Sequence, residues 1–166
     1  LFQPIIAQAV EVVGKPYDRG PAGAPFRVLA DHARAVAFLL ADGAEPSNEG
    51  RGYVLRRILR RAARYARKIH TGGPILHLLV DDLVKEMGGV YPEIADRREY
   101  VTRVIQNEED VEDAVGILDA LDYRGAIVLQ PEHGAGRGPA IFERWPWGRY
   151  PEARLIPQTH KSVGLH

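Results

Sequence analysis

Residues 51–69 constrain this chain more than any other stretch. They read Arg-Gly-Tyr-Val-Leu-Arg-Arg-Ile-Leu-Arg-Arg-Ala-Ala-Arg-Tyr-Ala-Arg-Lys-Ile. On a helix of about 100° per residue, Arg56, Arg57, Arg60, Arg61, Arg64, Arg67 and Lys68 fall within about 140° of arc. Val54, Leu55, Ile58, Leu59, Ala62, Ala63, Tyr65, Ala66 and Ile69 fill the opposite half without interleaving. One face therefore buries in a helical bundle while the other presents cations. No acid occurs between Glu49 and Asp81, and arginine outnumbers lysine seven to one in residues 51–68. Four like-charge pairs at i,i+4 and three at i,i+3 cost about 1–3 kcal/mol in total if nothing neutralises them.

Two partners would relieve that repulsion. One is an anion outside the chain, and guanidinium groups suit bidentate phosphate contacts. The other lies inside it. Residues 108–122 carry Glu108, Glu109, Asp110, Glu112, Asp113, Asp119 and Asp122 with no basic residue, which accounts for a net charge of zero from 22 basic and 22 acidic residues.

The rest of the chain predicts an all-α bundle of about five helices over 1–122 and an irregular Gly/Pro-rich tail over 123–166. Helices are expected over 1–14, closed by Gly14, over 27–41, over 52–69, over 75–87, and over 93–121 with a break near Asn107. Residues 15–25 hold three prolines and two glycines and read as a loop. The last 44 residues hold 6 Gly and 5 Pro, and only Ala126–Gln130 resembles a strand. Cysteine is absent, which excludes disulfides, thiolate metal sites and Cys nucleophiles. The longest apolar run, Ala35–Ala41, is too short to span a membrane or to form a signal-peptide core. The chain opens Leu-Phe-Gln-Pro, and Leu1, Ile5, Ile6 and Val10 read as the middle of an amphipathic helix, so a segment of a longer protein is expected.

Catalytic and metal-binding signals are weak. The histidines at 32, 70, 77, 133, 160 and 166 show no metal-ligand spacing, so no metal site is predicted. Asp31-His32 reads as structural, Gly134–Gly138 lacks the context of a phosphate loop, and Trp145 and Trp147 read as anchors of the tail. No nucleophile, base and orienting group come together, so no catalytic residue is predicted. The turn Pro46-Ser47-Asn48-Glu49 before the basic helix offers Ser47 or Asn48 as its cap. Alternatively, the Asn48 amide reads base edges in a groove, beside arginines on phosphates.

The runs Phe26–Ala35, Ala41–Ala62 and Gly89–Glu93 resemble alanyl-tRNA synthetase. The long motif Ala-Asp-Gly-Ala-Glu-Pro-Ser-Asn-Glu-Gly-Arg-Gly-Tyr-Val-Leu-Arg-Arg at 41–57 is its most specific part. The resemblance covers about residues 1–120. It implies the helical tRNA-recognition region that follows the catalytic domain, in a cytoplasmic enzyme that joins alanine to tRNA. The expected partners are the tRNA acceptor stem, with its G·U wobble pair, and the upstream catalytic domain, which would hold ATP and Mg; no cofactor and no membrane are expected for this segment, which alone should be inactive. It implies Asn48 as a recognition residue with the arginine-rich helix beside it, and the expected tRNA-binding set is Asn48 with Arg51, Arg56, Arg57, Arg60, Arg61 and Arg64. In the family a Leu-Tyr-Asp-Thr-Tyr-Gly-Phe-Pro motif follows, but this chain has Phe142–Gly148 at that distance, without the aspartate. The alternative is a protein-interaction module whose basic and acidic helices pair internally. A basic amphipathic helix on anionic membranes ranks third, and a free-standing enzyme last.

Overall fold

Punctuation residues set the helix boundaries in the computed structural model, which describes residues 2–123 and the backbone of 128–129 and 154–155. Pro4 opens α1, Gln3–Val13, whose Ile5, Ile6 and Ala9 are buried. Gly14 ends it at φ 69°, the left-handed conformation glycine adopts without penalty, and donates to the Val10 carbonyl at 2.8 Å. Helix α2, Ala24–Ala41, starts earlier than the sequence suggests because Pro25 sits in its first turn, where no backbone N–H is required. Its Phe26, Leu29, Ala30, Ala33, Val36, Ala37 and Leu40 form one buried stripe at helical spacing.

Helix α3, Gly50–Ile69, is the basic helix, and its main packing partner is α2. Leu55, Leu59, Ala62, Ala66 and Ile69 point into the core from α3. A Cβ at position 52 would lie 2.2 Å from the Glu45 carbonyl oxygen and 2.3 Å from Ser47 Oγ. Glycine there lets the preceding loop lie directly on the first turn of α3.

The stretch expected as one helix over 75–87 divides into a 3-10 turn, Leu76–Leu79, and α4, Val80–Met87. The last long helix also divides, but not at Asn107. A five-residue α5, Pro92–Asp96, ends at Arg97, and α6 runs unbroken from Arg98 to Ala120. Asn107 is buried in the middle of α6, within a run of core residues that includes Val101, Val104, Ile105 and Val111. The break falls at Arg97 (φ −102°, ψ 12°), whose guanidinium donates to the Leu40 carbonyl at the end of α2 at 3.4 Å.

The chain divides into two compact units, Leu1–Asp113 and Ala114–His166, with the division inside α6. The first is an all-α bundle with one continuous apolar core drawn from α1 to α6. In the second, Val128–Leu129 of the expected strand pairs in parallel with Arg154–Leu155. The rest of the tail, including Gly134–Gly138, Phe142–Gly148 and both tryptophans, lies outside the described residues.

Candidate nucleic-acid interface

The cationic arc of α3 is divided lengthwise. Its inner edge carries Arg56, Arg60 and Arg67, and α6 supplies their carboxylates. Arg56 Nε lies 3.5 Å from Glu108 Oε2, Arg60 Nε 2.6 Å from Glu112 Oε1, and Arg67 Nη1 3.6 Å from Asp113 Oδ1. Arg67 also donates to the Glu112 carbonyl at 2.8 Å. The acidic helix thus neutralises one flank, as internal pairing requires.

The outer edge is different. Arg57, Arg61, Arg64 and Lys68 are exposed, and among the described residues none has a carboxylate within 4.0 Å. Arg64 Nε donates to the Arg60 carbonyl at 3.2 Å, and tyrosine rings lie against the other three. The Arg57 guanidinium lies 5.7 Å from the Tyr53 ring centroid, Arg61 5.7 Å from that of Tyr65, and the Lys68 ammonium 4.5 Å from it. Cation–π contact limits the mobility of these side chains without cancelling their charge. The four cations and both tyrosines, with Val54, Ile58, His32 and the inner-edge Arg60, line an open cavity of about 640 Å³. From Arg57 to Lys68 the stripe runs about 16 Å along the axis.

The preceding loop places the remaining candidates. Neither Ser47 nor Asn48 caps α3: the N-cap is Glu49, without a side-chain capping bond. Ser47 turns back on the loop, donating to the Glu49 carbonyl at 2.8 Å and accepting from the Glu49 N–H at 3.4 Å. Asn48 is exposed, and its Oδ1 accepts from Arg56 Nη1 at 2.5 Å. Arg51 is exposed on the first turn. His32 Nδ1 lies 3.0 Å from Asp31 Oδ2 at the rim of the cavity.

Two features of this surface escape a reading of charge alone. Tyr53 and Tyr65 bracket the outer stripe, although nothing in the helical wheel marks them as more than ordinary residues. Glu109 has no part in neutralising α3. Its buried carboxylate accepts from the backbone N–H groups of Ile75, Leu76 and His77 at 3.1, 2.7 and 3.0 Å, and from His77 Nδ1 at 2.9 Å.

Residues 1–111 match the family described as tRNA synthetases class II (A), and the chain belongs to that family. Its relatives within the family are alanine–tRNA ligases. The ligase of Chlorobium luteolum is 51% identical over 141 residues, covering 82% of this chain and 16% of the relative. That of Bdellovibrio bacteriovorus is 42% identical over 154 residues, covering 86% and 16%. That of Exiguobacterium sibiricum is 44% identical over 127 residues, covering 73% and 14%. The chain therefore spans about one sixth of the length of the relatives it matches. No described helix is long and apolar enough to cross a membrane.

Proposed function

We propose that this chain is the part of an alanine–tRNA ligase that docks the tRNA acceptor stem and reads its G·U wobble pair. The observation that carries the reading is the outer stripe of α3. Three of its four cations lie against tyrosine rings and the fourth, Arg64, bonds to the Arg60 carbonyl; none has a carboxylate within ion-pair distance among the described residues, and the loop bearing Asn48 lies at the head of the same helix. Arg57, Arg61, Arg64 and Lys68 contact successive phosphates, with Arg51 at the upper end. Arg60, about a third exposed, reaches the ribose-phosphate backbone only from the inner edge. Asn48 faces the groove. An upstream catalytic domain would bring ATP and Mg and attach alanine to the tRNA end; this segment contributes grip and register.

Neutralising four or five phosphates releases that number of counterions. The logarithm of the binding constant should then fall against the logarithm of salt with a slope of about −3 to −5. Filter binding of an acceptor-stem minihelix across a salt series measures the slope, and a value near zero would remove the phosphate contacts. The pairing of Arg56, Arg60 and Arg67 with α6 favours the rival reading of an internally neutralised interaction module. It accounts for the inner edge only, and leaves the repulsion along the outer edge unrelieved.

A further inference from the structure

We infer that Arg56 is a positioning residue that fixes Asn48 as a hydrogen-bond donor, so that the loop recognises an acceptor on the nucleic acid edge. The inference rests on the RNA-docking reading above. A guanidinium has only donors, so the atom of the Asn48 amide that meets Arg56 Nη1 at 2.5 Å has to be the oxygen. The amide is thereby oriented by chemistry, and its NH2 group is the end left for a ligand. Asn48 has no other partner among the described residues. An unconstrained asparagine offers donor and acceptor alike and discriminates poorly between edges that differ only in that respect.

Arg56 is itself held at its other side. Its Nε lies 3.5 Å from Oε2 of Glu108, a carboxylate that is 2% exposed. Glu108 on α6, Arg56 on α3 and Asn48 on the loop therefore form one line from the core to the surface. The buried carboxylate anchors the guanidinium, and the guanidinium sets the amide. An arginine engaged in this way is a poor phosphate clamp, which separates Arg56 from Arg57, Arg61 and Arg64 on the same helix.

The decisive variant is Arg56→Lys in the full chain. A lysine keeps a positive charge opposite Glu108, so the core stays neutralised, but one ammonium cannot reach both Glu108 and Asn48. Acceptor-stem minihelices carrying G·U or G·C at the recognised position are titrated at fixed salt. Loss of a groove contact is worth about fivefold or more in discrimination. The expected result is that the ratio of the two Kd values shrinks by at least that factor, with the G·C value within twofold and the salt slope unchanged. Asn48→Asp, an exposed substitution that leaves no donor facing outward, should match it.

A second readout needs no RNA. NMR three-bond couplings should show a single χ1 conformer for the Asn48 side chain in the wild type and averaged couplings in Arg56→Lys. Unchanged discrimination and unchanged couplings in Arg56→Lys would overturn the relay. So would a salt slope shallower by about one with both minihelices weakened alike, since Arg56 would then be a phosphate contact. If the wild type binds neither minihelix, or binds both equally, the docking reading itself fails, whereas the couplings report on the Arg56–Asn48 contact alone.

Discussion

Single residues in this chain act far from their place in the sequence, and Glu109 does so most plainly. Glutamate in the middle of an acidic helix suggests solvent or a salt bridge. Here the carboxylate is 2% exposed and satisfies three backbone donors at the entry to the 3-10 turn before α4. Ile75 and Leu76 are themselves buried, so their N–H groups have no water to turn to once the carboxylate is gone. Each orphaned buried donor costs about 1–3 kcal/mol, so Glu109→Ala should lose about 3 kcal/mol or more. Glu109→Gln keeps one acceptor oxygen but turns an NH2 group toward donors, and should lose about half as much. Urea denaturation of the two variants measures both. Nothing local could have identified this role, because the donors lie more than thirty residues away. The Asn48 side chain is a similar case. Its type and its place before a helix suggest a cap, yet its oxygen is taken by Arg56, so the local rule gives way to a contact eight residues on.

At the scale of the helix, α3 shows how much a periodic pattern can disclose. The apolar half of the wheel is the buried half: Leu55, Leu59, Ala62 and Ala66 all lie in the core. Gly14 and the break after Ala41 were likewise legible, because glycine and Asp-Gly leave the backbone few alternatives. The division of the cationic arc was not. The wheel gives seven cations one face but does not say which edge α6 will approach. The break at Arg97 was hidden in a similar way: Arg97 meets the end of α2, distant in sequence, whereas Asn107, the suspected breaker, lies among core residues within an unbroken helix. The two edges should respond oppositely to charge reversal. Arg61→Glu with Arg64→Glu touches no carboxylate and removes like-charge neighbours, each worth about 0.2–0.5 kcal/mol. That pair should leave the melting temperature level or slightly higher and weaken minihelix binding by more than tenfold. Arg60→Glu instead sets a carboxylate against Glu112, which is 15% exposed, and should destabilise the fold. A melting curve and a binding isotherm for each variant separate the edges. Equal losses of stability from both would show that the outer stripe has partners of its own.

Over the whole molecule, a net charge of zero conceals two kinds of cancellation that respond differently to solvent. Glu108, Glu112 and Asp113 oppose arginines where water is partly excluded, and such pairs are screened weakly. On the outer stripe the charges stay in water and answer to salt in full. Raising salt at neutral pH should therefore abolish RNA binding and barely move the melting temperature. Acid reverses the emphasis. Asp81 on α4 makes a two-bond pair with Arg98 on α6, at 2.7 and 2.8 Å, and that hydrogen bonding holds its carboxyl below the ordinary value near 4. Its folded form resists a proton that its unfolded form accepts, so the unfolded chain takes up more protons as pH falls. The stabilisation from this pair is fully present above about pH 4 and is lost as pH drops through the lowered value. Acid also strips negative charge from the chain as a whole, so the arginines of both edges repel one another with less opposition. Added salt should accordingly raise the melting temperature at pH 3, where it screens repulsion, while leaving it nearly level at pH 7. Asp81→Asn should lower stability slightly at neutral pH and flatten the acid limb. Melting curves at both pH values, in low and high salt, test the whole scheme. A melting temperature that falls steeply with salt at pH 7 would mean that surface pairs, rather than the apolar core and the partly buried inner edge, hold the bundle together.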